Sequence, residues 1–286
     1  MPRPADRPTA RETGDSRVTT RMTAQRLCRL IADGDAEAVG AAVEAFPRLL
    51  TATVERAGQD GWTPLHVAVA ESRPGIVRQL VSAGADLGAR TEHGDTPLHV
   101  ALELAPELVP VLVELGADVD APSAAYLDDA DRLAAALDDG GAVDATSAGL
   151  DLLSWAALGG AARTAQLLLE RGADTDSGAL HAAAGAGRRE VVGLLLDSGA
   201  DADRRDAATG RTPLHAAVAA AAGDAAAEIV RLLLDAGADV NATTNDGASA
   251  LDIARVAAAR ARGGAADAAG AHDAIAELLV TRGATD

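Results

Sequence analysis

The chain is 286 residues long with a formal net charge of −18, and every one of its 25 basic residues is arginine. So acidic a composition argues against a nucleic-acid backbone or an anionic membrane surface, both of which need basic patches. It suits a basic partner, or plain solubility. Without lysine there is no P-loop, Schiff-base or kinase-type lysine, which excludes those chemistries.

Apolar residues make up 48% of the chain, yet the only aromatics are Phe46, Trp62, Tyr126 and Trp155, so the core must be aliphatic. Cys28 is the single cysteine, which rules out an internal disulfide. No apolar run approaches the roughly 18 residues of a membrane span. Residues Met1 to Arg21 lack an apolar stretch and read as a disordered polar tail rather than a signal peptide. The expected compartment is therefore the cytoplasm.

Taken in chain order, one pattern repeats. Thr63-Pro64-Leu65-His66 returns 33 residues later as Thr96-Pro97-Leu98-His99 and again as Thr212-Pro213-Leu214-His215, with a partial copy at Ala179-Leu180-His181. Each piece has a physical reason. Thr63 can cap a helix by accepting a backbone N–H. Pro64 at the first helical position loses no hydrogen bond. Leu65, Ala68 and Val69 share a helical face, as do Ile76, Val77, Leu80 and Val81 in a second helix. A Gly-Ala pair then stops that helix, beginning at Gly84, Gly116, Gly141, Gly172, Gly199, Gly237 and Gly283. Asp60-Gly61, His93-Gly94, Thr209-Gly210 and Asp246-Gly247 mark turns in the links. One such helix pair cannot bury its apolar face alone, so neighbours must stack.

This Thr-Pro-Leu-His and Gly-Ala-Asp pattern resembles the ankyrin repeat over residues 22 to 286. The resemblance implies an all-α solenoid of stacked helix pairs with short β-hairpin-like loops, built from eight units. Residues 22–57 are expected to form an N-terminal cap, followed by units at 58–91 and 92–121. Unit four, 122–146, is truncated and is expected to lack the Thr-Pro cap and most of its first helix. Units at 147–176, 177–203 and 204–242 follow. The last, 243–286, has Asp252 in place of the His and an Ala/Gly-rich insertion near Ala261 to Gly270. Pro110, inside the second helix of unit three, should delay or bend that helix.

Several motifs invite chemistry and fail its requirements. His66, His99, His181 and His215 occupy one repeat position. Stacked helices lie roughly 8–10 Å apart, whereas a zinc needs its ligand nitrogens at about 2 Å. The resemblance implies instead a hydrogen bond from each unit to the next. Gly185-Ala186-Gly187-Arg188 lacks the third glycine and the strand of a dinucleotide loop, and reads as a turn between helices. Gly14-Asp15-Ser16 sits in the tail without a scaffold. Cys28 reads as a small core residue, and Asp128-Asp129 and Asp138-Asp139 read as solvated faces.

Neither catalytic residues, a cofactor nor a metal is expected. The resemblance implies protein recognition on a concave face by a chain that is monomeric when free. At the hairpin tips and first helices it assigns Trp62, Glu71, His93, Asp95, Glu103, Leu104, Arg211, Asp246 and Arg255 to partner contact. That strip is mixed and mostly acidic, and the partner is expected to have a basic surface. Trp62 has two open roles: an exposed anchor, or a side chain folded over the first loop near Phe46 or Leu49. Trp155 is expected to fill space beside the small residues of unit four. A second functional reading is an acidic inhibitor or immunity-type protein that masks a basic partner. An unrecognised catalytic activity would need convergent, perturbed carboxylates in a closed pocket.

Overall fold

The computed structural model describes residues 22–147, 149–220, 224–262 and 266–285. The expected tail, Gly14-Asp15-Ser16 and part of the expected insertion lie outside them. Among the described residues eight helix pairs follow one another. They are α1 (Ala24–Asp33) with α2 (Ala36–Ala45), α3 (Pro64–Ala70) with α4 (Pro74–Ser82), α5 (Pro97–Leu104) with α6 (Val109–Glu114), and α7 (Ala121–Tyr126) with α8 (Ala130–Asp138). The second four are α9 (Leu152–Gly159) with α10 (Ala162–Glu170), α11 (Ala179–Gly185) with α12 (Arg189–Asp197), α13 (Pro213–Ala219) with α14 (Asp224–Asp235), and α15 (Ala250–Ala261) with α16 (Ala266–Thr281). Two links form antiparallel hairpins: β1 (Val54–Arg56) with β2 (Gln59–Trp62), and β3 (Thr146–Ser147) with β4 (Leu150–Asp151).

The odd-numbered helices form one row, and each even-numbered helix except α6 packs on an even-numbered neighbour in a second. The first row packs closely because its buried positions are small: Ala68, Ala101, Ala125, Ala156, Ala183, Ala217 and Ala254. Close approach reaches its limit at Gly159, where a Cβ would lie 2.1 Å from the Tyr126 carbonyl oxygen. One continuous aliphatic core runs from Leu27 to Leu279, as stacked repeats require.

The repeated His is the bolt between units. Its Nδ1 accepts the backbone N–H of the capping Thr: 3.2 Å for Thr63 to His66, 3.3 Å for Thr96 to His99, 3.1 Å for Thr212 to His215. That leaves Nε2–H to donate forward. His66 reaches the Asp95 carbonyl at 3.1 Å, His181 the Arg211 carbonyl at 2.9 Å, and His215 the Ala248 carbonyl at 3.3 Å. The implied inter-unit bond is therefore present at each of these.

Unit four corrects the sequence reading. Its first helix, α7, is formed and capped: the Asp120 carboxylate accepts from the Ser123 N–H at 3.2 Å and the Ser123 hydroxyl at 2.8 Å. Asp-Ala-Pro-Ser has replaced Thr-Pro-Leu-His. The missing residues come from the link, which is only Leu115 to Asp120, so the hairpin is lost rather than the helix. The short link also brings Asp120 to His99, whose Nε2 meets the carboxylate at 3.0 Å. Unit five repeats the substitution, with Asp151 accepting from the Ser154 N–H at 2.7 Å. Gly140, not Gly141, takes the left-handed conformation after α8, with φ +99°.

Pro110 acts as expected. A 3₁₀ turn over Pro106–Leu108 precedes α6, which starts only at Val109, so the proline falls in its first turn. The first hairpin turns at Ala57-Gly58, both with positive φ, and not at Asp60-Gly61. Gly61 lies in β2 at φ +87°, where a Cβ would come within 2.9 Å of the Glu92 nitrogen in the next link. Of the expected C-terminal insertion, residues 263–265 are outside the described set, and the chain from Ala266 onward belongs to α16. Gly185-Ala186-Gly187-Arg188 is the bend between α11 and α12.

Candidate functional site

Five of the residues assigned from the sequence come together. Trp62, His93, Asp95, Glu103 and Leu104 line one cavity of about 420 Å³ in the angle between the hairpin arm and the first-helix row. Its floor is α5, which contributes Val100, Glu103 and Leu104; its wall is the first hairpin and the following link. Leu104 is 56% exposed, the largest exposure among the large apolar side chains of the described residues.

Trp62 is not the exposed anchor that one reading proposed. It is 7% exposed. Its register partner Val54 and the turn behind it fold the ring back on its own hairpin. There the Arg56 guanidinium sits 5.4 Å over the ring, and His66 lies 6.0 Å away. Its Nε1–H points to the Gln59 side-chain oxygen at 3.4 Å. Glu71 belongs to this assembly through Arg56, which it holds at 2.8 Å. An edge of a buried indole, stacked under a cation, therefore forms part of the cavity wall.

The carboxylates of the cavity are incompletely compensated. Asp95 Oδ2 accepts the Thr91 hydroxyl at 3.2 Å, but Oδ1 is buried and has no partner. Burial raises the Glu103 pKa, and the neighbouring Asp95 charge pushes it further in the same direction. Two like charges thus face one recess.

The remaining assigned residues lie elsewhere. Arg211 lines a second cavity of about 650 Å³ between the links that lead into units six and seven, together with His181, Arg204, Arg205 and Asp206. Asp246 is exposed on the link before α15, with its carboxylate held by the Thr244 hydroxyl at 2.5 Å. Arg255 lines neither of these cavities. It stands six residues after the cap Ser249, the offset of Val69, Leu102 and Val218, which are buried. Beyond α15 and α16 no described helix pair packs, so the position opens to solvent beside Arg262, Asp273 and Glu277. The sequence reading missed Arg204 and Arg205, although both stand in the same link as Arg211.

Trp155 is wholly buried, with its ring 6.4 Å from Tyr126 and 5.9 Å from His99, so it fills the space beside unit four as expected. Its Nε1–H donates to the Ser147 carbonyl at 3.2 Å. Burial pushes the Cys28 thiol up to about 11, which leaves it un-ionised and unreactive. Among the described residues no group of three or more His, Cys, Asp or Glu is arranged to hold a metal ion. No described helix is long and apolar enough to cross a membrane.

Stacked two-helix units, a shared aliphatic core and cavities on the hairpin side define an all-α repeat solenoid. A family model described as ankyrin repeats (3 copies) matches residues 31–123, 124–206 and 153–244, and the chain belongs to that family. It is similar to the B-cell lymphoma 3 protein of Homo sapiens, 34% identical over 183 residues, covering 58% of this chain and 35% of the relative. Shorter stretches resemble the protein phosphatase 1 regulatory subunit 27 of Mus musculus, 44% identical over 46 residues (16% of this chain, 30% of the relative). NF-kappa-B inhibitor alpha of Rattus norvegicus is 51% identical over 41 residues (14% of this chain, 13% of the relative). The chain spans 25% and 35% of the length of the mouse and human B-cell lymphoma 3 proteins. Family and relatives point to protein–protein interaction.

Proposed function

We propose that this protein is a non-catalytic recognition module that binds one partner protein on its concave face and presents the cavity around Asp95 and Glu103 to a cationic side chain of that partner. The observation that carries the reading is the buried, unpartnered Oδ1 of Asp95 beside the pKa-raised carboxyl of Glu103. A guanidinium or ammonium seated there would relieve the repulsion between the two acids. Leu104 and the edge of Trp62 offer apolar surface to the stem of such a side chain. No serine, threonine, cysteine or lysine lines the cavity to act as a nucleophile. In this reading the free chain is a cytoplasmic monomer.

The inhibitor reading, an acidic mask over a basic partner, draws on the net charge of −18. It asks for acidity along the whole face, whereas Arg204, Arg205 and Arg211 share the second cavity. A recognition module with a local acidic recess fits that distribution better.

The test is capture of partners from the native cell by the intact protein and by Asp95→Asn/Glu103→Gln, read by mass spectrometry. Both substitutions keep shape and leave the Asp95 carbonyl free to hold His66. The double variant is expected to lose the principal partner, and wild-type binding should weaken between about 50 and 500 mM salt as the screening length shrinks several-fold. The same partner captured equally by both proteins would remove the acidic recess from the mechanism.

A further inference from the structure

Several arginines among the described residues are tied down in ion pairs. Arg56, Arg78, Arg171, Arg189, Arg262 and Arg282 each hold a carboxylate within 4.0 Å. The second hairpin-side cavity is different. Arg204 and Arg211 line it and are exposed, and among the described residues neither guanidinium joins an ion pair or donates a hydrogen bond. Arg205, also in the wall, spends its guanidinium on the Thr243 carbonyl and keeps its charge. The floor is α11 and α13, whose only titratable residues are His181 and His215. Leu150, Ala182 and Ala216 make the rest of that floor apolar.

Two carboxylates share the wall, Asp176 and Asp206, and Asp246 acts on Arg211 from the next link. Asp206 Oδ1 is engaged within its own link, accepting the Thr209 N–H at 2.8 Å and the Thr209 hydroxyl at 2.5 Å; the lining still counts three guanidinium groups against two carboxylates. The cationic field here is felt by a neighbour: burial is the main reason the His215 pKa is low, and the charges of Arg205 and Arg211 press it the same way. In a chain with 43 acidic and 25 basic residues, three arginines around one apolar-floored recess invert the prevailing balance.

From this geometry we infer a second, independent recognition site: the cavity between the links of units six and seven takes an acidic side chain of a protein partner, a glutamate or aspartate in an extended segment, held by Arg204 and Arg211. A guanidinium offers a planar fork that a carboxylate fills bidentately. The hairpin-side face is then bipolar, acidic at units two and three and cationic at units six and seven. A partner lying along it needs a basic residue toward one end and an acidic residue toward the other. Charges of opposite sign at two separated recesses fix the direction in which a segment lies, because the reversed segment meets like charge at both.

The test uses the intact chain and a defined probe, so it stands or falls apart from the Asp95 and Glu103 recess. The peptide acetyl-(Glu-Gly)4-amide is titrated while the side-chain Nε–H resonances of the arginines are followed by NMR. Arg204 and Arg211 are expected to shift saturably, with acetyl-(Gln-Gly)4-amide leaving them in place. Arg204→Ser/Arg211→Ser should weaken the peptide tenfold or more, while Asp95→Asn/Glu103→Gln leaves it unchanged. Arg163→Ser/Arg231→Ser, which removes the same charge from the exposed second-helix row, is the control for net charge. Because Arg204 and Arg211 are exposed and unpaired, their loss should not alter the circular dichroism melt. Three results would each overturn the inference: no saturable shift at Arg204 and Arg211, equal weakening by the control pair, or inorganic phosphate moving the same resonances as strongly as the peptide, which would make the recess a general anion site.

Discussion

Replacing His66 by alanine should cost far more than the same change at His181, although the two occupy one repeat position. His66 is fully buried. It accepts from the Thr63 N–H at 3.2 Å and donates to the Asp95 carbonyl at 3.1 Å. Alanine strands both groups, and a buried group left without its partner costs about 1–3 kcal/mol. With the cavity left by the ring, the sum is about 4 kcal/mol. His181 has no capping threonine behind it, since Gly178 stands at the cap position. It makes only the 2.9 Å bond to the Arg211 carbonyl, from a half-exposed ring. Water can replace that donor, so the loss should be about 1 kcal/mol. Urea unfolding followed by tryptophan fluorescence reads both ends of the comparison. Trp62 lies 6.0 Å from His66, and Trp155 is on α9, which packs against α11. Local reporters matter because a long repeat array need not unfold as one unit. Losses equal to within about 1 kcal/mol would show that the Thr–His–carbonyl bolt is not what makes this position valuable.

The other expectations are these. Burial lowers the His66 and His215 pKa values and outweighs the carbonyl bonds that favour protonation. An unfolded His titrates near 6.5, so their contribution is complete above about pH 6.5 and is lost as pH falls through the lower folded value. The melting-temperature gap between wild type and His215→Asn should therefore narrow on going from about pH 7 to pH 5, and a gap that widens reverses the sign. Helix α8 buries only Leu133, against Ile76, Val77 and Leu80 in α4 and Val191, Val192 and Leu195 in α12, so its amides should exchange fastest of the three; equal protection would count against this. Gly61→Ala must also displace the Glu92 backbone, whereas Gly94→Ala, at φ +89°, meets open space. The first should cost about 1 kcal/mol or more beyond the second in thermal denaturation, and parity would mean the hairpin links stack less tightly than their geometry implies.

Much of the architecture was readable because the repeat states its own physics. Thr-Pro opens a helix and His closes onto the next unit, and these recur at fixed offsets. What escaped was written in substitutions that keep the chemistry and change the letters. Asp120 with Ser123, and Asp151 with Ser154, close the helix cap in units four and five as Thr and His do elsewhere, at the same three-residue spacing, but without the forward bond to the next unit. A search for capping oxygens rather than for Thr-Pro would have found both. Arg255 shows the same limit from another side: its offset from Ser249 matches Val69, Leu102 and Val218, which are buried, whereas Arg255 is exposed. The burial of Trp62 depends on Arg56 folding over its ring, a contact between strands that no helical period encodes.

The residue just before each cap shows how one backbone serves two purposes. Trp62, Asp95, Arg211 and Ala248 are equivalent positions, immediately ahead of Thr63, Thr96, Thr212 and Ser249. At the last three, the carbonyl oxygen receives the His bond from the preceding unit. That demand falls on the main chain, which any residue supplies. The side chain at the same position is not needed for that bond, and it points a carboxylate into one cavity and a guanidinium into the other. An aromatic, an acid, a base and an alanine at one structural position is what such a division of labour permits. It follows that Asp95→Asn and Arg211→Ser should leave the melting temperature almost unchanged while altering what the hairpin side recognises. A shift as large as the one expected for His66→Ala would mean that the side chain, and not only its carbonyl, helps hold the solenoid together.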